Sequence, residues 1–173
     1  MIIPNKIETE KIYLRKLLKG DLDEFQKLLS ESSTNRFLMF SEKQKNRKGS
    51  KELLDKIVQS YLGSDPYIAM AIASKEKNKF LGLCGLSPIE HTNIYELYYG
   101  LLPEHQKKGF ATEAASALLD YFLATYEIRE VRAYMSPRNP GSARVAARLG
   151  MNYEGIHKHP VFKTEKMVYS IQP

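Results

Sequence analysis

The stretch Tyr99-Gly-Leu-Leu-Pro-Glu-His-Gln-Lys-Lys-Gly-Phe-Ala-Thr-Glu-Ala114 decides the reading of this chain. An apolar, strand-like run breaks at Pro103, and a short polar loop carrying Gln106, Lys107, Lys108 and Gly109 follows. A helix then begins at once, with Ala111, Ala114, Ala115, Leu118, Leu119 and Phe122 along one side. Strand, basic glycine-containing loop and helix start, in that order, build an anion site. The first N–H groups of a helix lack intrahelical partners, and the helix dipole adds about half a positive charge there. A phosphate-bearing ligand is the first expectation. The alternative is a surface loop leading into an ordinary amphipathic helix.

Outward from this stretch, the chain reads as alternating strands and helices. Ile12 and Leu14 alternate with Tyr13 and Arg15 as in a strand. Asp21 is placed to cap a helix, with Glu24 completing a capping box and Leu22, Phe25, Leu28 and Leu29 on one face. Residues Ser41 to Lys51 are polar and read as an exposed loop, before a second amphipathic face of Leu53, Leu54, Ile57, Val58 and Tyr61. Strands are expected over Tyr67–Ala73, Phe80–Leu86 and Ile94–Leu102, the first two joined by a hairpin turn at Glu76–Lys79. A helix from about Gly109 to Tyr126 is followed by a strand through Val131, Ala133 and Met135. Ser142 is expected to cap a short helix ended by Gly150, and two strands close the chain, from Tyr153 and over Phe162–Ile171. No repeat, linker or low-complexity segment divides it. The reading is an α/β (α+β) fold in a single domain, residues 1–173, with a mixed, mostly antiparallel central sheet flanked by helices.

Composition bounds the partners. A chain of 173 residues, 43% hydrophobic and 27% charged, suits one ordinary globular domain. The net charge of +6 favours an anionic partner. The basic residues are scattered and lack the stacking aromatics of an RNA module, so no direct nucleic-acid contact is expected. Cys84 is the single cysteine, which excludes an internal disulfide and suits a reducing compartment; it reads as a buried, inert thiol. Met1-Ile-Ile-Pro-Asn-Lys6 does not resemble a signal peptide, and no apolar run has the length of a membrane span. A cytoplasmic protein without a membrane partner is expected. His157 and His159 alternate as on one strand face; two histidines without carboxylate or cysteine company make no metal site, and lining an acceptor pocket is their other reading. Phe37, Met39 and Phe40 are either core or the mouth of a substrate pocket.

Several motifs in fixed order carry a resemblance. The opening Ile7-Glu-Thr-Glu-Lys-Ile-Tyr-Leu-Arg15, the strand Glu96-Leu-Tyr-Tyr99, the loop Gln106-Lys-Lys-Gly-Phe-Ala111 continued by Thr112-Glu-Ala114, the turn Asn139-Pro-Gly-Ser142, and the closing Leu149-Gly-Met151 and Tyr153-Glu-Gly155 span nearly the whole chain. Together they resemble the GNAT superfamily of acyl-CoA N-acetyltransferases, and within it the Rim-type branch, which includes enzymes that acetylate ribosomal-protein N-termini. Two positions depart from that branch: Tyr98 stands where it has Gly, and Gln106-Lys107 replaces Trp-Gly. The first puts the path of its strand in question.

The resemblance implies a single-domain GNAT fold and acetyl-CoA as cosubstrate, without a metal. It places main-chain N–H groups from Gln106 through Lys107, Lys108, Gly109, Phe110 and Ala111, with Thr112 following, around the coenzyme A diphosphate. Gly109 and Ala111 are small where backbone must approach phosphate. It places Asn139 on the pantetheine arm and the Ser142 hydroxyl near the thioester sulfur, where it can protonate the leaving thiolate; as plain sequence, Asn139 is a turn residue and Ser142 a helix cap. Arg144 is in reach of the adenosine 3′-phosphate or simply solvated. The N–H of Leu101 is the candidate donor to the thioester oxygen, with Gly100 easing a bulge. Glu96, an acid inside an apolar strand, is the candidate general base; an exposed glutamate on an edge strand is its other reading. The expected activity is acetyl transfer to a primary amine, on a protein N-terminus or a small molecule, by direct attack on the thioester. The alternative is a catalytically silent acetyl-CoA-binding module that senses the cofactor. Relatives of this kind commonly pair, so the resemblance admits a homodimer.

Overall fold

A computed structural model of the chain describes residues 1–32, 40–90 and 92–173. The expectation for Phe37 and Met39 lies outside the described residues. The strands are β1 (Lys6–Glu8), β2 (Ile12–Lys16), β3 (Ile68–Ser74), β4 (Phe80–Pro88), β5 (Ile94–Leu101), β6 (Glu130–Met135), β7 (Asn152–Lys158) and β8 (Glu165–Ile171). The helices are α1 (Leu22–Ser30), α2 (Glu42–Lys45), α3 (Arg47–Ser60), α4 (Phe110–Thr125) and α5 (Pro140–Arg148). Among the described residues the strands form one eight-stranded sheet in the order β1-β2-β3-β4-β5-β6-β8-β7. Every neighbouring pair is antiparallel except β5 and β6. Those two are joined through α4, the long crossover that a parallel pair requires.

β3 and β4 are apolar on both faces because both faces are covered. On one face Phe25, Leu28, Leu54 and Ile57 of α1 and α3 pack against Ala69, Ala71 and Leu83. On the other, Ala114, Ala115, Leu118 and Phe122 of α4 pack against Met70, Ile72, Cys84 and Leu86. The result is the expected single-domain α/β arrangement, a mostly antiparallel sheet between helices. Burial pushes the Cys84 thiol up to about 12, so it is the inert core group its surroundings suggested. No helix among the described residues is long and apolar enough to cross a membrane.

Local chemistry revises several boundaries. Residues Ser41 to Lys51 are helical, not a loop: Gln44 Oε1 accepts from Ser41 N at 2.9 Å, and Asn46 Oδ1 caps α3 by accepting from Gly49 N at 2.9 Å. Asp21 holds the N-cap position of α1, but its side chain does not cap the helix. Its carboxylate is taken by the Arg15 fork at 2.8 Å on each oxygen and by Leu18 N at 2.8 Å. The cap of α5 is Asn139, whose Oδ1 accepts from Ser142 N at 3.2 Å, so Ser142 lies in the first turn instead. Gly100 is not at a bulge: β5 pairs with β4 without interruption from Tyr95 to Leu101, and the register shift falls between Ile72 and Ala73 of β3, opposite Leu81. Tyr98 likewise leaves the strand path intact. It pairs with Gly85, and its hydroxyl crosses to donate to Ile68 O at 3.0 Å.

That crossing fixes the residue opposite. A Cβ on Gly85 would overlap the Ile68 carbonyl oxygen and the Tyr98 hydroxyl. Gly85→Ala is therefore expected to lower unfolding free energy by about 3 kcal/mol, the upper end for overpacking. Urea denaturation checks this, and a change below about 1 kcal/mol contradicts it.

Candidate functional site

The site begins where two parallel strands part. β5 and β6 pair at Ile94↔Glu130, Tyr95↔Val131 and Glu96↔Arg132, and there the pairing stops. β5 runs on to Leu101 held by β4 alone, while β6 runs on to Met135 held by β8. Between them opens a cavity of about 800 Å³. Leu102 N donates to Leu81 O at 3.0 Å across the β4 edge. Alternation along an extended chain therefore turns the Leu101 peptide toward the β6 edge, into the opening. Its carbonyl there accepts from Gln106 Nε2 at 3.0 Å, which ties the following loop to the end of the strand.

That loop makes a concave run of backbone. A 3-10 turn over Pro103–His105 leads to Gln106, then Lys107 at φ 60° and Gly109 at φ 85°. Left-handed Gly109 directly before the right-handed helical Phe110 is the alternating pair that forms an anion nest. Gly109 is also the N-cap of α4 and supplies no capping side chain. The one acid in the first turn, Glu113, is held elsewhere, accepting from Thr9 Oγ1 at 2.5 Å and Lys11 N at 2.7 Å. Among the described residues no carboxylate thus competes for the helix N-terminus, which opens on the cavity through Gln106, Lys107, Gly109, Phe110, Ala111 and Thr112. Lys108 does not line it. Arg144 and Arg148 of α5 do, from the other side. This donor set, backbone N–H groups with basic side chains around them, fits a diphosphate.

Asn139 and Ser142 face the same cavity. Ser142 Oγ accepts from Asn139 Nδ2 at 2.9 Å, which leaves the serine O–H to donate. Tyr99 reaches across from β5 and donates its hydroxyl to Ser142 O at 3.2 Å. Burial pushes that phenol up to about 12, so it stays protonated.

Glu96 stands at the apex of the opening. Its side chain is 24% exposed, and its Oε2 lies 3.0 Å from Nε2 of His159, which is 2% exposed. His159 Nδ1 accepts two backbone N–H groups, from Val161 at 3.1 Å and Phe162 at 3.2 Å. An acceptor at Nδ1 assigns the ring proton to Nε2, so Nε2–H donates to the Glu96 carboxylate. Tyr134 and Phe162 wall the imidazole, with ring centroids 4.8 and 4.7 Å away. Burial pushes the Glu96 carboxyl above the usual range, against the His159 hydrogen bond and the nearby charge of Lys166.

The structure thus gathers Glu96, Leu101, Gln106, Lys107, Gly109, Phe110, Ala111, Thr112, Asn139 and Ser142 around one cavity. The histidines separate: His157 is exposed on β7 and donates to Glu154 O, whereas His159 is buried against Glu96. The His159 contact, Tyr99 and Tyr134 escaped the sequence reading. Each depends on pairing between strands distant in sequence. Among the described residues, no group of three or more His, Cys, Asp or Glu could hold a metal ion.

Comparison with known proteins agrees with this geometry. A family model described as an acetyltransferase (GNAT) domain matches residues 11–152. The uncharacterized protein YkkB of Bacillus subtilis is 38% identical over 81 residues, which is 46% of this chain and 47% of that one. The chain therefore matches about half the length of this curated relative. Among solved structures, an acetyltransferase (GNAT family) from Bacillus anthracis superposes with a TM-score of 0.80 at 21% identity, covering 96% of this chain and 98% of that one. Ribosomal-protein-S5-alanine acetyltransferase from Vibrio fischeri does so at 0.75 and 21%, covering 96% of each.

The Glu96–His159 contact carries a titration signature. A donor to a carboxylate favours the charged form, so its removal raises the carboxyl pKa further. In NMR titration Glu96 is expected to have a midpoint above 4.5, rising again in His159→Leu. A midpoint that is unchanged or lower in the variant contradicts the assigned hydrogen bond.

Proposed function

The chain belongs to the GNAT acetyltransferase family, and on that premise we propose that residues 1–173 act as one acetyl-CoA-dependent N-acetyltransferase domain whose acceptor is a primary amine. One observation carries the reading. A capless helix N-terminus behind two left-handed residues and a half-buried carboxyl open onto one cavity, through the gap between β5 and β6.

In this reading the N–H groups from Gln106 to Thr112 hold the diphosphate, with Lys107, Arg144 and Arg148 adding charge. Lys108 adds charge from outside the cavity. Asn139 holds the pantetheine arm. Acetyl-CoA, when bound, supplies the acetyl group as a thioester. The Leu101 N–H, turned into the opening, serves its carbonyl oxygen. Glu96 takes the proton that the amine gives up as the carbon–nitrogen bond forms. Its raised pKa makes it a better base than a solvated carboxylate. The Ser142 hydroxyl gives a proton to the departing thiolate. His159 is a positioning residue, fixing the Glu96 carboxylate through Nε2. Confinement of amine and thioester in one cavity supplies much of the rate.

Acetyl-CoA binding by calorimetry, followed by thiol release with a panel of primary amines, tests the reading. Binding with release supports it; absence of binding overturns it. Glu96→Gln is expected to lower kcat by about 10²-fold or more, the ordinary range for a lost general base, with acetyl-CoA Kd changed less than about threefold. Near wild-type kcat removes Glu96 from the mechanism. In the wild type, kcat/KM falls as pH drops through the raised Glu96 pKa, because a protonated carboxyl cannot accept. Gly109→Val places a β-branched residue at φ 85°, so weaker acetyl-CoA binding, by about tenfold or more, is expected by calorimetry.

A further inference from the structure

Resting on the acetyl-transfer reading, we infer that the acceptor is a primary monoamine on an apolar body, and not a polyamine. Two independent properties of the acceptor half of the cavity point there.

The first is its wall. Beyond Glu96 the cavity is lined by Phe40, Leu53, Ile57, Tyr67 and Leu83, and by Phe162 from the connection between β7 and β8. Phe162 is brought beside the His159 ring by the same connection whose backbone caps His159 Nδ1. Of the other described lining groups on this side, Gln44 and Ser87 are neutral. Such a wall gains from burying an apolar body.

The second is its charge. Glu96 is the single carboxylate among the described lining residues. Lys166 stands near it with the opposite sign, and Lys107, Arg144 and Arg148 line the donor half. Residues 33–39 contain Arg36 and no Asp or Glu, so the sequence there supplies no further carboxylate. One anion serves one amine. Among the described lining residues a second ammonium on the same molecule would find no second carboxylate and would meet the Lys166 charge. Discrimination against polyamines is then a repulsive feature of the pocket and not only a lack of attraction.

The test measures thiol release by the full chain at saturating acetyl-CoA with 2-phenylethylamine, spermidine and the amide of a Ser-Gly-Gly tripeptide. The expected kcat/KM for 2-phenylethylamine exceeds that for each of the other two by at least about tenfold, the scale on which one misplaced group counts. Parity or reversal with either competitor overturns the assignment while leaving acetyl transfer intact. Release from none of the three, in protein that binds acetyl-CoA by calorimetry, overturns the assignment and counts against the enzymatic reading as well. Leu53→Glu adds a second carboxylate on the half-buried face of α3. In that variant the 2-phenylethylamine-to-spermidine ratio of kcat/KM is expected to fall by about tenfold or more. An unchanged ratio in folded, acetyl-CoA-binding variant contradicts the charge argument.

Discussion

The parallel pairing of β5 and β6 that stops at Glu96↔Arg132 is the constraint on which the rest of the site depends. Had it continued, the edge of β5 from Leu97 to Leu101 would be spent on β6 and no cavity would exist. β6 is committed to β8 along Val131–Met135, and β5 to β4 along Tyr95–Leu101, so each strand keeps one partner as the two diverge. The gap is bridged by side chains and not by a ladder. Tyr99 reaches Ser142 O at the start of α5, and Gln106 reaches Leu101 O from the loop. These contacts place the loop and α5 against the two lips of the opening. An extended ligand can then lie along the side of β5 that faces the cavity, as peptides do in β-augmentation.

Charge divides the cavity into two halves with different work. The loop half offers backbone N–H groups and cations, with Glu113 drawn off to the β1–β2 turn. The other half offers one carboxyl, raised by burial and steadied by a histidine whose second nitrogen is satisfied by backbone. A half-buried carboxylate without such a donor would carry an uncompensated desolvation cost. His159 belongs to the connection between β7 and β8, so the geometry of Glu96 on β5 is set from the far end of the sheet.

Much of this was legible in the sequence. The helix start at Phe110, the loop before it, the three antiparallel strands and the stop at Gly150 each rest on local patterns: apolar periodicity, Pro103, and glycine at turns. The errors were also local in kind. Ser41 to Lys51 has the composition of a loop, and only the caps at Ser41 and Asn46 show that it is helical. Asp21 has the spacing of a cap, yet a buried guanidinium from β2 outbids the helix N-terminus for it. The Glu96–His159 contact could not be read, because it joins residues 63 apart through three successive strand pairings. The acceptor wall was unreadable for the same reason. Leu53 and Ile57 read as ordinary helix positions until α3 is laid over the sheet, whereas Phe40, by sequence either core or pocket mouth, does line the cavity.

The central claim is that the strand edge and the left-handed loop receive one ligand together. Backbone amide chemical shifts during titration with acetyl-CoA measure this most directly. The account predicts that the largest changes fall in two clusters, Leu97–Leu101 and Lys107–Thr112. Changes absent from both, or concentrated elsewhere on the sheet, would contradict it.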